Sequence, residues 1–321
     1  MARSQTSLAR QPGELPPRPS VGRGSPVAGE GWAAAIRSAL LDWYRPRPRD
    51  YPWRSARPDP YAVLVSEVML QQTQAARVAP AYVSFLARFP DVRALSSAGR
   101  AEILRAWGGL GYPRRALALR EAARAIVRDH GGRVPGDVDE LRALPGIGPY
   151  TAGAVASIAF GRPVAAVDTN VRRVTARLLH GLEPDDVPAR RIGADAGSMV
   201  DPAAPGEWNQ ALMDLGRFVC RPVPRCAACP LAFACRFPRE AHAARRPHGG
   251  RQEPFEGSMR QARGRILASL RDRGGATLEE LGERTGMTIE RTSAAASALA
   301  RDGVVTLVEG DSPVDIRVDI D

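Results

Sequence analysis

One short stretch limits the fold of this chain more than any other: Leu144-Pro145-Gly146-Ile147-Gly148-Pro149-Tyr150. Asp137 and Glu140 before it have capping-box spacing and start a short helix. Pro149 suits the first turn of the next helix, where the missing N–H costs nothing. Two helices must therefore meet across a tight turn. Gly146 and Gly148 let the backbone turn sharply and approach a partner closely. Free amides of the turn and of the new helix then make an anion site. The same pattern also fits an ordinary turn between antiparallel helices, and the stretch by itself leaves both readings open.

The rest of the composition bears on that choice. The chain has 321 residues, 44% of them hydrophobic, enough for one large or two ordinary domains. Its formal net charge is +10, and all 45 basic side chains are arginine, with no lysine anywhere. A genomic preference for arginine would explain the missing lysine but not the excess charge. Arginine forks onto phosphates and never loses its charge, so the excess points to nucleic acid. Without lysine, no side-chain amine is available for a Schiff base, which leaves carboxylates, hydroxyls, water or a metal for chemistry. No apolar run is long enough to span a membrane, and no apolar secretory core opens the chain, so a cytoplasmic, membrane-free location is expected.

Apolar periodicity predicts an all-α core between residues 31 and 239. Residues 1–30, rich in Pro, Gly, Ser and Arg, read as a disordered tail. Helices are expected over Trp32–Tyr44, then from the Asp59-Pro60 start through Gln74, then over Val78–Phe89, Arg100–Trp107 and Arg114–His130. Further helices fit Pro149–Phe160, Thr169–His180, Arg190–Met199 and Glu207–Val219. Nothing reads as a strand before about residue 300. A polar linker over 240–259 leads to a small module over 260–321. There three helices, Arg260–Arg271, Thr277–Thr285 and Ile289–Arg301, precede a pair of strands at Val304–Val308 and Ile316–Val318, the pattern of a winged helix. The expected reading helix carries Arg291 but is otherwise rich in Ala and Ser, which suits a weak DNA clamp or a docking module equally.

Four cysteines, the chain's full complement, fall within sixteen residues as C-x5-C-x2-C-x5-C: Cys220, Cys226, Cys229 and Cys235. In a reducing cytosol this spacing means ligands rather than disulfides. A single C-x2-C flanked by wide gaps suits one [4Fe–4S] cluster better than zinc, which prefers paired hooks. Two carboxylates also stand out. Glu67 sits in Val65-Ser66-Glu67-Val68-Met69-Leu70, where apolar neighbours would favour a protonated acid; Gln71 and Gln74 would extend its helix face, and that face could equally be a solvated one. Asp168 ends an apolar run and opens a helix, an ordinary N-cap whose position nevertheless favours the anion. One acid and one anion are what cleavage of a glycosidic bond requires.

These motifs together, Ser66-Glu-Val-Met-Leu-Gln-Gln-Thr-Gln74, Leu144–Tyr150, Val167-Asp-Thr-Asn170 and the cysteine loop, resemble the helix-hairpin-helix DNA glycosylases, and among them the adenine DNA glycosylases of the MutY type. Asp59-Pro60-Tyr61, Gly109–Tyr112 and Ala211–Gly216 fall where that family has them, and the likeness runs over about 31–237. The resemblance implies a six-helix barrel part over about 60–165, and a cluster part over 31–59 and 166–239 holding a [4Fe–4S] cluster. It implies a monomer acting on double-stranded DNA that carries A·8-oxoguanine or A·G mispairs, flipping the adenine and hydrolysing its N-glycosidic bond. Glu67 would protonate the adenine, and Asp168 would stabilise the sugar cation with help from Tyr150 and Asn170. Gly146 and Gly148 would grip the backbone, Gln72 and Tyr112 would probe or wedge the duplex, and Trp53 and Arg54 would line the base pocket. Tyr150 stands where the strand-cleaving endonuclease III type has lysine, which implies base removal without strand cleavage. The pyrimidine-removing endonuclease III type and a non-enzymatic iron–sulfur DNA-binding regulator are the competing readings. Three departures stand out: a first cysteine gap shortened to five, Pro113 in place of a second tyrosine, and a module over 260–321 too short for the family's Nudix-like domain.

Overall fold

The structure, a computed structural model, describes residues 30–47, 51–238, 254–308 and 316–320. The expected tail, apart from Glu30, and residues 240–253 of the expected linker lie outside the described residues. The described chain forms two compact units: residues 30–47 with 161–238, and residues 51–160 with 254–308 and 316–320.

In the first unit α1 (Glu30–Tyr44) and α9 (Thr169–Thr175) both pack on α11 (Pro205–Phe218), and α10 (Ala189–Met199) packs on α9. Ile36, Leu40 and Tyr44 repeat every four residues, so α1 turns one apolar stripe inward. That stripe meets Val171, Val174, Trp208, Leu212 and Leu215 in a single core. The sequence predicts one helix over Thr169–His180. Instead α9 gives way to a π-helical turn, Ala176–His180, closed by Gly181 at φ 70°. A Cβ on Gly181 would stand 2.7 Å from the Arg236 carbonyl oxygen, so only glycine lets the end of the cysteine loop come this close. The Arg236 amide then bonds the Leu178 carbonyl at 3.1 Å.

The second unit is built on α2 (Pro60–Leu70) and α8 (Pro149–Phe160), which pack together and are apolar nearly all round. A helix without a polar face must be central. Around this pair stand α3 (Ala75–Arg88), α4 (Val92–Ser97), α5 (Arg100–Trp107), α6 (Arg114–Asp129) and α7 (Val138–Ala143). Asp59 caps α2 by accepting from the Ala62 amide at 2.8 Å, with Pro60 in the first turn as its sequence requires. Helix α4, absent from the periodicity reading, is too short to display a period. Two expectations are corrected here. Helix α2 ends at Leu70 rather than Gln74, because Gln71 has extended ψ (116°) and Gln72 has φ 54°, so Gln71 and Gln74 do not continue the Glu67 face. Residues 51–59, grouped with the cluster part by sequence, belong to this unit, with buried Trp53 packed edge-on against Tyr82 of α3 at 5.7 Å.

The C-terminal residues belong to the same unit. Helix α12 (Met259–Arg273), β1 (Ala276–Thr277), α13 (Leu278–Thr285), α14 (Ile289–Arg301), β2 (Thr306–Val308) and β3 (Arg317–Asp319) follow in the order of a winged helix. The sheet runs β1-β3-β2, antiparallel throughout, with Ala276 opposite Val318 and Leu307 opposite Val318. Strand β1 is a correction to the all-helical reading before residue 300; at two residues it is too short to alternate. Thr277 and Glu280 complete a capping box at the start of α13. Helix α12 packs on α5, which fixes the module to the larger bundle.

Candidate functional site

Glu67 lies in the middle of α2 and is only 5% exposed, flanked by buried Val63, Leu64, Val65, Val68 and Met69. A solvated helix face is thereby excluded for it. The phenolic O–H of Tyr150, in the first turn of α8, donates to Glu67 Oε2 at 2.7 Å. The central helix pair thus brings together two residues that lie 83 positions apart. The resemblance made Tyr150 a helper of Asp168; in this unit it holds Glu67. One position on, buried Thr151 accepts from Gln71 Nε2 at 3.1 Å, fastening the end of α2 to the start of α8.

Two exposed residues in the same unit have positive φ without being glycine: Gln72 at 54° and Tyr112 at 48°. Such backbone costs on the order of 1 kcal/mol or more each and persists only where the surroundings enforce it. Arg115 enforces both. Its guanidinium donates to the carbonyls of Val68 and Met69 (3.1 Å each) and Gln71, to Thr73 Oγ1 at 2.9 Å and to the Gly111 carbonyl at 3.1 Å. It lies 5.3 Å from the Tyr112 ring and 5.4 Å from the Trp107 ring. Burial pulls this guanidinium down to about 10, still a cation at neutral pH. Sequence reasoning missed Arg115, since one arginine among 45 carries no signal of its own.

In the hairpin the two glycines differ. Gly146 has φ 75°, and a Cβ there would meet Ala118 Cβ at 2.6 Å, so the fold itself requires glycine. Gly148 has no positive φ, and its Cβ would find nothing within 4 Å. Trp53 is stacked on Tyr51 (4.9 Å, 6° between planes), and Arg54 lies 5.8 Å from the Tyr51 ring. Trp53 is thus largely a packing residue, 9% exposed.

In the other unit Asp168 is the N-cap of α9, as its sequence predicts. Its Oδ1 accepts from the Val171 amide at 2.7 Å, and its Oδ2 accepts from Asn170 Nδ2 at 2.8 Å. Asn170 in turn accepts from Arg173 at 2.8 Å. Two supports lay beyond the sequence reading. Fully buried Asn209 donates to the Val164 carbonyl (2.9 Å) and accepts from the Ala166 amide (3.0 Å), fixing the extended segment that delivers Asp168. Gly216 lets α11 approach, because a Cβ there would stand 2.6 Å from Asn170 Cβ.

Cys220, Cys226, Cys229 and Cys235 all line one small pocket, with Arg177, Pro224 and Phe237 among its other walls. Arg177 donates to Cys220 Sγ at 3.7 Å and to the Arg221 and Pro222 carbonyls at 2.7 and 3.1 Å, while pairing with Glu183 at 2.9 Å. Burial pushes the Cys229 thiol up to about 12, so it becomes a thiolate only if something positive binds it. Among the described residues no three His, Cys, Asp or Glu side chains are grouped as they would be around one metal ion. Four sulfurs on one pocket beside the buried Arg177 guanidinium do fit an anionic sulfur-ligated cluster in their chemistry.

The comparisons with known proteins decide the lineage. The family model for HhH-GPD superfamily base excision DNA repair proteins matches residues 65–191. The adenine DNA glycosylase of Mycobacterium tuberculosis (strain H37Rv) is 46% identical over 239 residues, 72% of this chain and 77% of that one. The chain belongs to the adenine DNA glycosylase family of helix-hairpin-helix enzymes. The adenine DNA glycosylase of Mycolicibacterium smegmatis is 44% identical, covering 73% and 79% of the two chains. That of Homo sapiens is 42% identical over 71% of this chain and 44% of its own. Among solved structures, a thermostable thymine-DNA glycosylase superposes with TM-score 0.58 at 31% identity, over 64% of this chain and 95% of that one. An endonuclease III bound to DNA gives 0.54 at 26% identity, with the same coverage. This glycosylase therefore acts on adenine in base-excision repair and binds DNA, and its family carries an iron–sulfur cluster.

Proposed function

We propose that this glycosylase removes adenine paired with 8-oxoguanine or guanine by hydrolysis alone, without cutting the strand. The observation that carries the reading is buried Glu67 held by the Tyr150 phenol at 2.7 Å. Burial favours the protonated form of a carboxyl, and an acid of this kind can give its proton to N7 of a flipped adenine. The bond from the sugar C1′ to the base nitrogen then breaks with its electron pair leaving on the protonated adenine. Asp168, oriented by the Val171 amide and Asn170, stabilises the sugar cation, and water adds to C1′ while losing a proton. The products are free adenine and an abasic site. With no lysine in the chain and tyrosine at position 150, no side-chain amine is present to open the sugar and break the strand.

Gly148, free of any packing reason to be glycine, suits a close approach of a DNA phosphate beside Gly146. Gln72 and Tyr112, exposed and held in strained backbone, suit insertion at the mispair. On this reading Trp53, through the small part of its surface left exposed, and Arg54 would border the base pocket. Cys220, Cys226, Cys229 and Cys235 would hold a [4Fe–4S] cluster, which when bound cross-links the loop and adds no step to the excision. The test is incubation with A·8-oxoguanine, A·G and thymine-glycol duplexes, before and after hot alkali. Adenine release with breaks only after alkali is expected, and Glu67→Gln should lower the rate at least about a hundredfold. Breaks without alkali, release of thymine glycol, or full activity in Glu67→Gln would each overturn the reading.

A further inference from the structure

Residues Gly108–Gly111, between α5 and α6, contain a single 3-10 turn (Gly108–Leu110) and lead directly into Tyr112. Four consecutive carbonyl oxygens here accept hydrogen bonds from side chains. Gly111 accepts from Trp107 Nε1 and Arg115 (3.1 Å each), Leu110 from Thr73 Oγ1 at 3.4 Å, and Gly109 from Arg77. The donor for the fourth carbonyl comes from far along the chain: Arg271 of α12 donates to the Gly108 carbonyl. The side-chain set runs over all four carbonyls only because the C-terminal module supplies Arg271.

Other ties surround this one. The Arg271 carbonyl accepts from Arg105 Nε at 3.2 Å, and the Gly303 carbonyl accepts from Arg100 at 2.7 Å. On the far side of Tyr112, Arg114 stands 3.6 Å from Asp302, an exposed pair worth little energetically but consistent in placement. The module therefore touches the chain on both sides of Tyr112, at Gly108 and at Arg114 of α6. Arg271 itself is partly buried, and burial lowers its affinity for a proton. Meanwhile Arg291, the arginine of the expected reading helix, is spent within the module on the Gly257 and Ser258 carbonyls.

We propose that the C-terminal module is an internal brace for the Tyr112 loop rather than a second reader of DNA, and that Arg271 is its positioning residue. The proposal rests on the reading of Tyr112 as the residue inserted at the mispair. By meeting the Gly108 carbonyl, Arg271 anchors the near end of the stretch whose far end Arg115 holds, so that Tyr112 keeps its positive-φ shape before DNA arrives and binding does not have to order it.

The test compares full-length Arg271→Gln and Arg271→Lys with the parent. Amide hydrogen exchange is followed in a peptide spanning Gly108–Tyr112, together with affinity for an A·8-oxoguanine duplex and for an undamaged one. Arg271→Gln should exchange faster in that peptide alone and bind the mispair about tenfold more weakly, the worth of one charged hydrogen bond. Its affinity for undamaged duplex should stay at the parent value. Arg271→Lys, which keeps one cationic donor, should recover part of the loss. Unchanged exchange in the loop would overturn the brace. So would an equal loss on both duplexes, which would make the module a DNA contact. If the parent fails to release adenine, the reading of the site fails, but the exchange experiment still decides the brace.

Discussion

Tyr150 illustrates how much one oxygen atom can matter at this site. Its phenol donates to a carboxyl that is 5% exposed, so removing the hydroxyl takes away a hydrogen bond at a place bulk water scarcely reaches. Tyr150→Phe is expected to keep its fold and its duplex affinity but to slow single-turnover excision by roughly ten- to a hundredfold, the worth of one buried hydrogen bond lost at the acid. A loss confined to affinity would assign Tyr150 to DNA binding instead. Residues differ in how far their sequence betrays them. A carboxylate inside Val65–Leu70 is anomalous on sight, and Asp168 before a helix is a cap whatever else it does. Arg115 and Asn209 matter as much to the geometry but are ordinary residues in ordinary helices. Their roles exist only in the distances to carbonyls brought near by folding.

Among the elements, the hairpin allows a clean contrast between its two glycines. Gly146→Ala forces a Cβ to within 2.6 Å of Ala118 Cβ at φ 75°, and should cost roughly 1–3 kcal/mol, read as a lowered Tm. Gly148→Ala meets nothing inside the protein, so its Tm should match the parent while duplex binding weakens several-fold because the added methyl meets the DNA backbone. Equal duplex binding by parent and Gly148→Ala would reduce the hairpin to a turn. Helices with clear start and stop residues, such as α5 between Gly99 and Gly108, α8 between Pro149 and Gly161, and α14 after Thr288, match their sequence boundaries to the residue. The misjudged elements share a physical cause. The end of α2 is set by Arg115 drawing off carbonyls, α4 is one short capped turn, and the π turn after α9 is fixed by Gly181 against Arg236; none of these leaves a periodic trace.

For the whole molecule, the cysteine loop offers a test independent of catalysis. Protein purified without oxygen should contain iron and inorganic sulfide in equal amounts and be coloured. Cys229→Ser should lose the colour and several degrees of Tm together, because the cavity it lines lies against the core that includes Leu231 and Ala234. Zinc in place of iron would overturn that assignment. The two-part architecture was less legible than its parts. Periodicity locates helices but not which of them pack together, so the membership of residues 51–59 and of the C-terminal module emerged only from contacts. One consequence concerns synthesis. The core of the unit that carries Asp168 needs α1, which is made first, and α11, which is made after the whole of residues 51–160. At ribosomal rates of roughly 5–20 residues per second, Ile36 and Leu40 wait on the order of ten seconds for their partners. During that interval the nascent chain displays an unpaired apolar helix, a natural binding site for whatever chaperone attends the ribosome exit.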